Sequence, residues 1–387
     1  MAETIWINAK LYTGQRVIAG GRMIVTEEGT IRAVGDELLP VPAHARVRDC
    51  EGTTMLPGFI DVHVHGGNGF SMMDGTFESL DGMSRYHAGH GTTAFLATTT
   101  TASEERIVQA LRNAAAHIGK TSGAELAGIH LEGPYLDEKR RGAQDREHLK
   151  LPTAAEIEEW CAAADGHIRL VTIAPEIEGG MAAVSQLAGK RITVSAGHSN
   201  ATYEQIEAAM RAGVSHTTHH FNGMSPLHHR EPGLAGAGLL LGGLTTELIC
   251  DGIHVHPAAV KLMFEMKNPE KICLITDAVG PAGLPDGEYG EVVVASGQIT
   301  LKHGSSLAGS SLTMLQALKN ALRFTGYPLE KLLPSLTSVP ARQARLDRQR
   351  GTLAPGKQAD FLLLTPGLEL LSTYVKGKEV YRAGSSA

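Results

Sequence analysis

Apolar residues in the middle of the chain gather into short runs, and the stretches between them repeat apolar positions at helical spacing. Eight runs read as strands, at residues 59–65, 92–98, 126–132, 169–174, 192–198, 214–219, 247–251 and 271–277. The intervening stretches carry helix signals. Thr153-x-x-Glu156 forms a capping box ahead of Ile157 and Trp160. Residues 203–211 set Ile206, Ala209 and Met210 on one helical face. Strands alternating with helices predict a parallel sheet. Eight such units predict a (β/α)8 TIM-type barrel, whose chemistry sits at the C-terminal ends of its strands.

The two ends of the chain read differently, as strands without helices. Thr4-Ile-Trp-Ile-Asn-Ala alternates, and Met23-Ile-Val-Thr and Thr30-Ile-Arg-Ala-Val flank Glu27-Glu28-Gly29, a hairpin signal. Near the other end, Phe361–Leu364 is an apolar run. Ser372-Thr-Tyr-Val and Glu379-Val-Tyr flank Lys376-Gly377-Lys378, a second hairpin signal. Residues 1–55 and 350–387 therefore predict a small β-sandwich domain built from both termini, around a barrel at 56–349.

Composition narrows the function classes. The chain has 387 residues, 42% hydrophobic and 20% charged, which fits a folded protein with a large core. Its net charge of −6 gives no electrostatic footprint for nucleic acid. Cys50, Cys161, Cys250 and Cys273 are too sparse for a disulfide scaffold and read as free thiols in a reducing compartment. The first residues lack a basic region followed by an apolar run, so no signal peptide is expected. The apolar stretch 233–243 is far short of the ~20 residues of a membrane helix. A cytoplasmic, soluble protein is expected.

The expected strand ends carry metal-ligating side chains. The first ends in His63-Val64-His65, the third in Glu132, the fifth in His198, the sixth in His219 and the eighth in Asp277. Positions i and i+2 of a strand point the same way, so His63 and His65 can both face the barrel axis. Imidazoles and carboxylates converging at one mouth make a site for zinc or another first-row divalent ion. His87 and His90 read as structural, on a helix after the first strand, and His228 and His229 as surface residues. His216, three before His219, is expected to face a helix, and His220 to point away from the metal. The loop carrying His254 and His256 divides between structural and substrate-facing roles.

Other site types fail their spacing tests. Gly236-x-Gly238 has Leu241 where a dinucleotide fingerprint needs its third glycine, and there is no G-x-x-x-x-G-K-[ST], H-E-x-x-H or G-x-S-x-G.

Pro57-Gly-Phe-Ile-Asp-Val-His63-Val-His65-Gly, between the halves of a split β domain, resembles the amidohydrolase superfamily. Further segments narrow the resemblance to its N-acetylglucosamine-6-phosphate deacetylase family: His130-Leu-Glu132-Gly-Pro-Tyr, Ala196-Gly-His198-Ser-Asn-Ala-Thr, His219-His-Phe-Asn222-Gly-Met-Ser, Asp251-Gly-Ile-His254 and Leu274-Ile-Thr-Asp277-Ala. The resemblance implies hydrolysis of the N-acetyl group of N-acetylglucosamine 6-phosphate to glucosamine 6-phosphate and acetate, in amino-sugar catabolism and cell-wall recycling. It implies that Glu132, His198 and His219 bind a principal divalent transition metal, zinc or iron; with His63 and His65 both present, one ion per subunit or two sharing Glu132 are the alternatives. Asp277 is expected to move a proton from metal-activated water to the leaving amine; its alternative is a further ligand.

For the substrate, the resemblance implies Ala143, Asn222, Gly223, Asp251, His254 and the Leu307-Ala308-Gly309 segment. Arg230 is expected to grip phosphate and, by the same resemblance, to reach the neighbouring site of a homodimer. His254 alternatively fixes its own loop. One departure is Gln144, where some relatives have His after the Gly-Ala pair. The competing functions are deacetylation of N-acetylgalactosamine 6-phosphate, opening of a cyclic amide, and a catalytically silent scaffold. No nucleic acid or membrane partner is expected.

Overall fold

The computed structural model describes residues 3–304 and 306–384. At its centre is an eight-stranded parallel sheet of β1 (Phe59–Val64), β2 (Thr92–Thr98), β3 (Glu125–Glu132), β4 (Ile168–Ile173), β5 (Thr193–Ala196), β6 (Val214–Thr217), β7 (Thr245–Ile249) and β8 (Ile272–Ile275). The strands pair in chain order. Every residue of β1, β2, β5, β7 and β8 is buried. Strands covered on both faces need apolar side chains at consecutive positions, which is why they read as runs rather than alternations. Beyond their ends the first and last strands run side by side. Asp277 N–H donates to His63 O at 2.9 Å and His65 N–H to Ala278 O at 2.8 Å.

The helices between strands present apolar stripes to the sheet. Helix Glu104–His117 buries Ile107, Ala110, Leu111 and Ala114, the i, i+3, i+4, i+7 positions of one face. Thr153 caps helix Ala154–Ala163 by accepting from Glu156 N–H at 3.2 Å. Only half of the expected capping box forms, because the Glu156 carboxylate instead accepts from Tyr135 Oη at 2.7 Å and pairs with Lys150. A complete box appears at the next helix but one, Tyr203–Ala212, between Thr202 and Gln205.

The chain ends meet in a second sheet. Its strands lie in the order Lys378–Arg382, Leu370–Val375, Phe361–Leu364, Thr54–Pro57, Glu3–Tyr12, Val17–Thr26 and Ile31–Gly35, with Arg46–Asp49 pairing Glu3–Tyr12. Both expected hairpins form. Where a sandwich of two sheets was expected, the described strands form one hydrogen-bonded sheet. Glu3–Tyr12 is the reason: it is long and bulged, pairing Arg46–Asp49 through its first half and Thr54–Met55 through its second. Trp6 stands edge-on to Phe361 and Tyr374 with ring centroids 5.0 and 4.8 Å apart. Each such pair adds about 0.5–1.5 kcal/mol beyond burial, tying the two ends together. The sheet gives way to β1 at Gly58, where a Cβ would lie 2.2 Å from Thr93 Oγ1.

An antiparallel three-stranded insertion, Gly287–Tyr289, Val292–Ala295 and Gln298–Leu301, follows β8; its signal in the sequence, two apolar runs flanking Ser296-Gly297, is one that the sequence analysis missed. Among the described residues, no helix is long and apolar enough to cross a membrane.

His87, on helix Phe77–Ala88, is buried, and its Nε2–H donates to Gly66 O at 2.9 Å. Burial lowers its pKa to about 4. The folded state therefore excludes a proton that the unfolded chain accepts near pH 6.5, so stability is full above that pH and falls as pH drops towards 4. At pH 5 the loss from this residue is on the order of 2 kcal/mol. The drop in urea midpoint between pH 7 and pH 5 should therefore be smaller in His87→Gln than in wild type; an equal drop would place the acid sensitivity elsewhere.

Candidate metal centre and substrate cavity

The strands end short of several expected ligands. β1 stops at Val64, β5 at Ala196, β6 at Thr217 and β8 at Ile275. His198, His219 and Asp277 each lie two residues further on, with φ of +47°, +26° and +53°. Left-handed backbone costs a non-glycine residue roughly 1–2 kcal/mol, and here it turns each side chain back over the sheet. His216 corrects the sequence reading. Counting strand parity back from His219 sends it outward, but the kink at His219 breaks the count. His216 instead donates from Nε2 to Glu247 Oε1 at 3.1 Å in the interior. His220 does point away, lying buried against Gly238.

All six strand-end residues converge. Glu132 Oε1 lies 3.3 Å from His63 Nε2, 3.3 Å from His198 Nε2 and 3.2 Å from His219 Nε2. Glu132 Oε2 lies 3.3 Å from His65 Nε2, and Asp277 Oδ1 is 3.2 Å from His65 Nε2 and 3.5 Å from His63 Nε2. The ligand atoms of Glu132, His198 and His219 fall within 4.8 Å of one another, as do those of His63, His65 and Asp277.

The chemistry of this donor set calls for a cation. His198 Nδ1 donates to Arg140 O at 2.9 Å and His219 Nδ1 to Asn222 O at 3.1 Å. A carbonyl oxygen only accepts, so in the neutral rings Nδ1 carries the hydrogen and Nε2 turns a lone pair inward. Those two Nε2 atoms are 3.0 Å apart, lone pair against lone pair, beside a buried Glu132 Oε1 that has no hydrogen-bond partner. A divalent ion satisfies all three atoms, so the residues fit the group.

The protein's own charges pull the same way. Burial disfavours charge at His65, but Asp277 and Glu132 outweigh it and raise its pKa to about 9. Burial likewise opposes ionisation of Glu132 and Asp277, yet the surrounding imidazoles hold both carboxyls below their usual range. Both carboxylates are thus kept anionic.

Two further residues support the cluster: Glu247, which the sequence analysis missed, and Gln144, which it noted only as a departure from relatives. Glu247, fully buried in β7, accepts from His63 Nδ1 at 2.9 Å, His216 Nε2 at 3.1 Å and His219 N–H at 3.0 Å. It orients one ligand ring and the backbone of another. A carboxylate inside an otherwise apolar run was the available signal. Gln144 donates from Nε2 to Glu132 Oε2 at 2.7 Å and accepts from Thr101 N–H at 2.8 Å. The amide thus steers the shared carboxylate.

Above the centre opens a cavity of about 510 Å³. His65, Glu132, His198, His219 and Asp277 form its floor, and Ala143, Asn222, Gly223, His254, Leu307, Ala308 and Gly309 line it. Glycine is needed at 223, where φ is +56° and a Cβ would lie 2.9 Å from His198 Nδ1. The insertion contributes Val292 and Leu301 to the wall. Two expected substrate residues are not in this lining. Asp251 stands behind His254, accepting from its Nδ1 at 2.6 Å and its N–H at 2.8 Å. Arg230 is exposed and lines a separate cavity with Arg140, Asn200 and Tyr203.

Comparison with known proteins places this architecture. An N-acetylglucosamine-6-phosphate deacetylase of Vibrio furnissii is 39% identical over 98% of this chain and 97% of its own length. An N-acetylgalactosamine-6-phosphate deacetylase of Escherichia coli O157:H7 is 37% identical over 92% and 97%. A mutant N-acetyl-D-glucosamine-6-phosphate deacetylase of Mycobacterium smegmatis, solved with N-acetyl-D-glucosamine-6-phosphate, superposes with a TM-score of 0.91 at 32% identity, covering 98% of this chain and 100% of that one. The sequence profile of the amidohydrolase family matches residues 54–380. The chain belongs to the amidohydrolase family.

Proposed function

We propose that this protein hydrolyses the N-acetyl group of N-acetyl-D-glucosamine 6-phosphate, releasing D-glucosamine 6-phosphate and acetate. The observation that carries the reading is the convergence of four imidazoles, Glu132 and Asp277 beneath a cavity of substrate size. Kinship with deacetylases over nearly the whole chain points to the same reaction. In this reading the eight strands close as a (β/α)8 barrel, supported by the bridge between Val64 and Ala278. Residues 56–349 are the catalytic unit and 1–55 with 350–387 a separate β unit; of the latter, residues 1, 2 and 385–387 lie outside the described residues.

Glu132, His198 and His219 hold the first ion, and His63 and His65 with Asp277 offer a second position, for zinc or iron. When bound, such an ion polarises the amide carbonyl and brings the pKa of water towards ~7. Asp277 takes the proton of the attacking water and returns it to the leaving amine. His254, its Nδ1 bonded to Asp251, turns its other nitrogen to the sugar or the acetyl oxygen. The backbone N–H of Gly223 binds an anionic oxygen, whereas that of Asn222 is engaged by His219 O at 3.0 Å.

Arg230, outside its own chain's cavity, serves the neighbouring subunit of a homodimer by gripping phosphate through two parallel donors. Arg230→Ala is then expected to raise KM for the phosphorylated sugar by about 10–100-fold, the loss of a charge-assisted pair, with kcat little changed. An unaltered KM would move the phosphate site elsewhere.

The direct test measures acetate release by the metal-loaded protein from N-acetylglucosamine 6-phosphate, its galactosamine epimer and unphosphorylated N-acetylglucosamine. Fastest turnover of the first is expected. Preference for the epimer would favour the relationship to the Escherichia coli enzyme, and release from none would overturn deacetylation.

A further inference from the structure

At the opposite end of the barrel strands, where the chain enters β4 and β5, lies a second cavity of about 780 Å³. Its charged lining is Arg169, Lys190, Arg191, Arg345, Arg348 and Asp347. Five cations thus face one carboxylate, in a chain whose net charge is −6. Lys190 is engaged by Glu158 at 2.7 Å. Arg169, Arg191, Arg345 and Arg348 have neither an ion pair nor a side-chain hydrogen bond among the described residues. Arg169 Nε is buried with no acceptor, an arrangement that costs about 1–3 kcal/mol or more for a charged group.

Arg169 is half-buried, and Arg191, Arg345 and Arg348 stand exposed around it. Four unneutralised guanidinium groups around one concavity repel one another, and a dianion relieves the repulsion while accepting paired N–H donors. The volume lies in the range of small-molecule sites. Asp347 adds an acceptor for hydroxyl groups, which suits an ester carrying a polyol better than a bare ion.

We propose that this cavity is a binding site for a phosphate monoester of a polyhydroxylated small molecule, separate from the metal centre. It does not rest on the deacetylase reading.

The test is calorimetric titration of the metal-loaded full chain with glucose 6-phosphate, with orthophosphate as comparison. An Arg230→Ala background removes the phosphate contact proposed for the other cavity. Adding Arg345→Gln and Arg348→Gln should weaken glucose 6-phosphate binding at least about tenfold, since each charge-assisted pair is worth that or more. Both residues are exposed, so an unchanged urea midpoint is expected to show that folding is intact. If the Gln pair fails to fold, Arg345→Lys with Arg348→Lys keeps the charge without the fork and should bind at intermediate strength. Equal affinity in all forms, or no binding to the background protein, overturns the site. Equal affinity for orthophosphate and the ester overturns the polyol ester as its ligand.

Discussion

Asp277→Asn is expected to lower kcat by about 10²–10⁴-fold, the contribution of a positioned proton-transfer group, in a protein that stays folded and keeps its first metal ion. Folding survives because the backbone of Asp277, not its side chain, makes the structural bonds. Its N–H donates to His63 O at 2.9 Å and its carbonyl accepts from Ser310 N–H at 2.8 Å. Asn is the right replacement, since φ is +53° and Asn tolerates left-handed backbone where Ala is strained. The Glu132–His198–His219 group does not include Asp277, so the metal content of that position should be untouched. Turnover near the wild-type rate in fully loaded Asp277→Asn would remove the proton shuttle from this residue.

Glu132→Gln should act one step earlier, on metal retention itself. Glu132 Oε1 is the unpartnered oxygen facing three imidazole nitrogens. An amide of the same shape removes the negative charge that offsets a divalent ion. Losing the ion's contribution of several kcal/mol corresponds to a fall in kcat/KM of about 10³-fold or more. Metal analysis after dialysis separates this case from the previous one, since Glu132→Gln is expected to come out largely stripped. Retention of wild-type metal content would mean that the imidazoles alone define the site. Gln144, which already donates to Glu132 Oε2, cannot restore the missing charge.

The parts of the fold legible from sequence were those governed by local rules. Buried strands declared themselves as apolar runs, and the terminal hairpins by their glycine turns. The six residues at the strand ends could be nominated because the C-terminal ends of parallel strands gather in one place. Rules of spacing failed where the backbone departed from regularity. His216 was assigned to the wrong face because the strand ends at Thr217 and the chain then kinks at His219. Glu247 was hidden because its three hydrogen bonds all go to residues far away in sequence. Asp251 shared a segment with His254, and only the tertiary geometry separates the residue that lines the cavity from the one that steadies it. The single bulged strand that merges the expected two terminal sheets is likewise a matter of pairing, which no one strand's composition encodes.

The terminal sheet also sets an order of events during synthesis. Thr54–Pro57 hydrogen-bonds to Phe361–Leu364, with Pro57 opposite Phe361. Between the emergence of these two strands roughly 300 residues must be made, about 15–60 s at ~5–20 residues per second. The N-terminal strands can pair among themselves in that interval, but the Thr54–Pro57 edge stays open and Trp6 waits for Phe361 and Tyr374. An open strand edge is a template for other chains. The wait for Phe361–Leu364 is thus a hazard of the thread's itinerary rather than of its final stability.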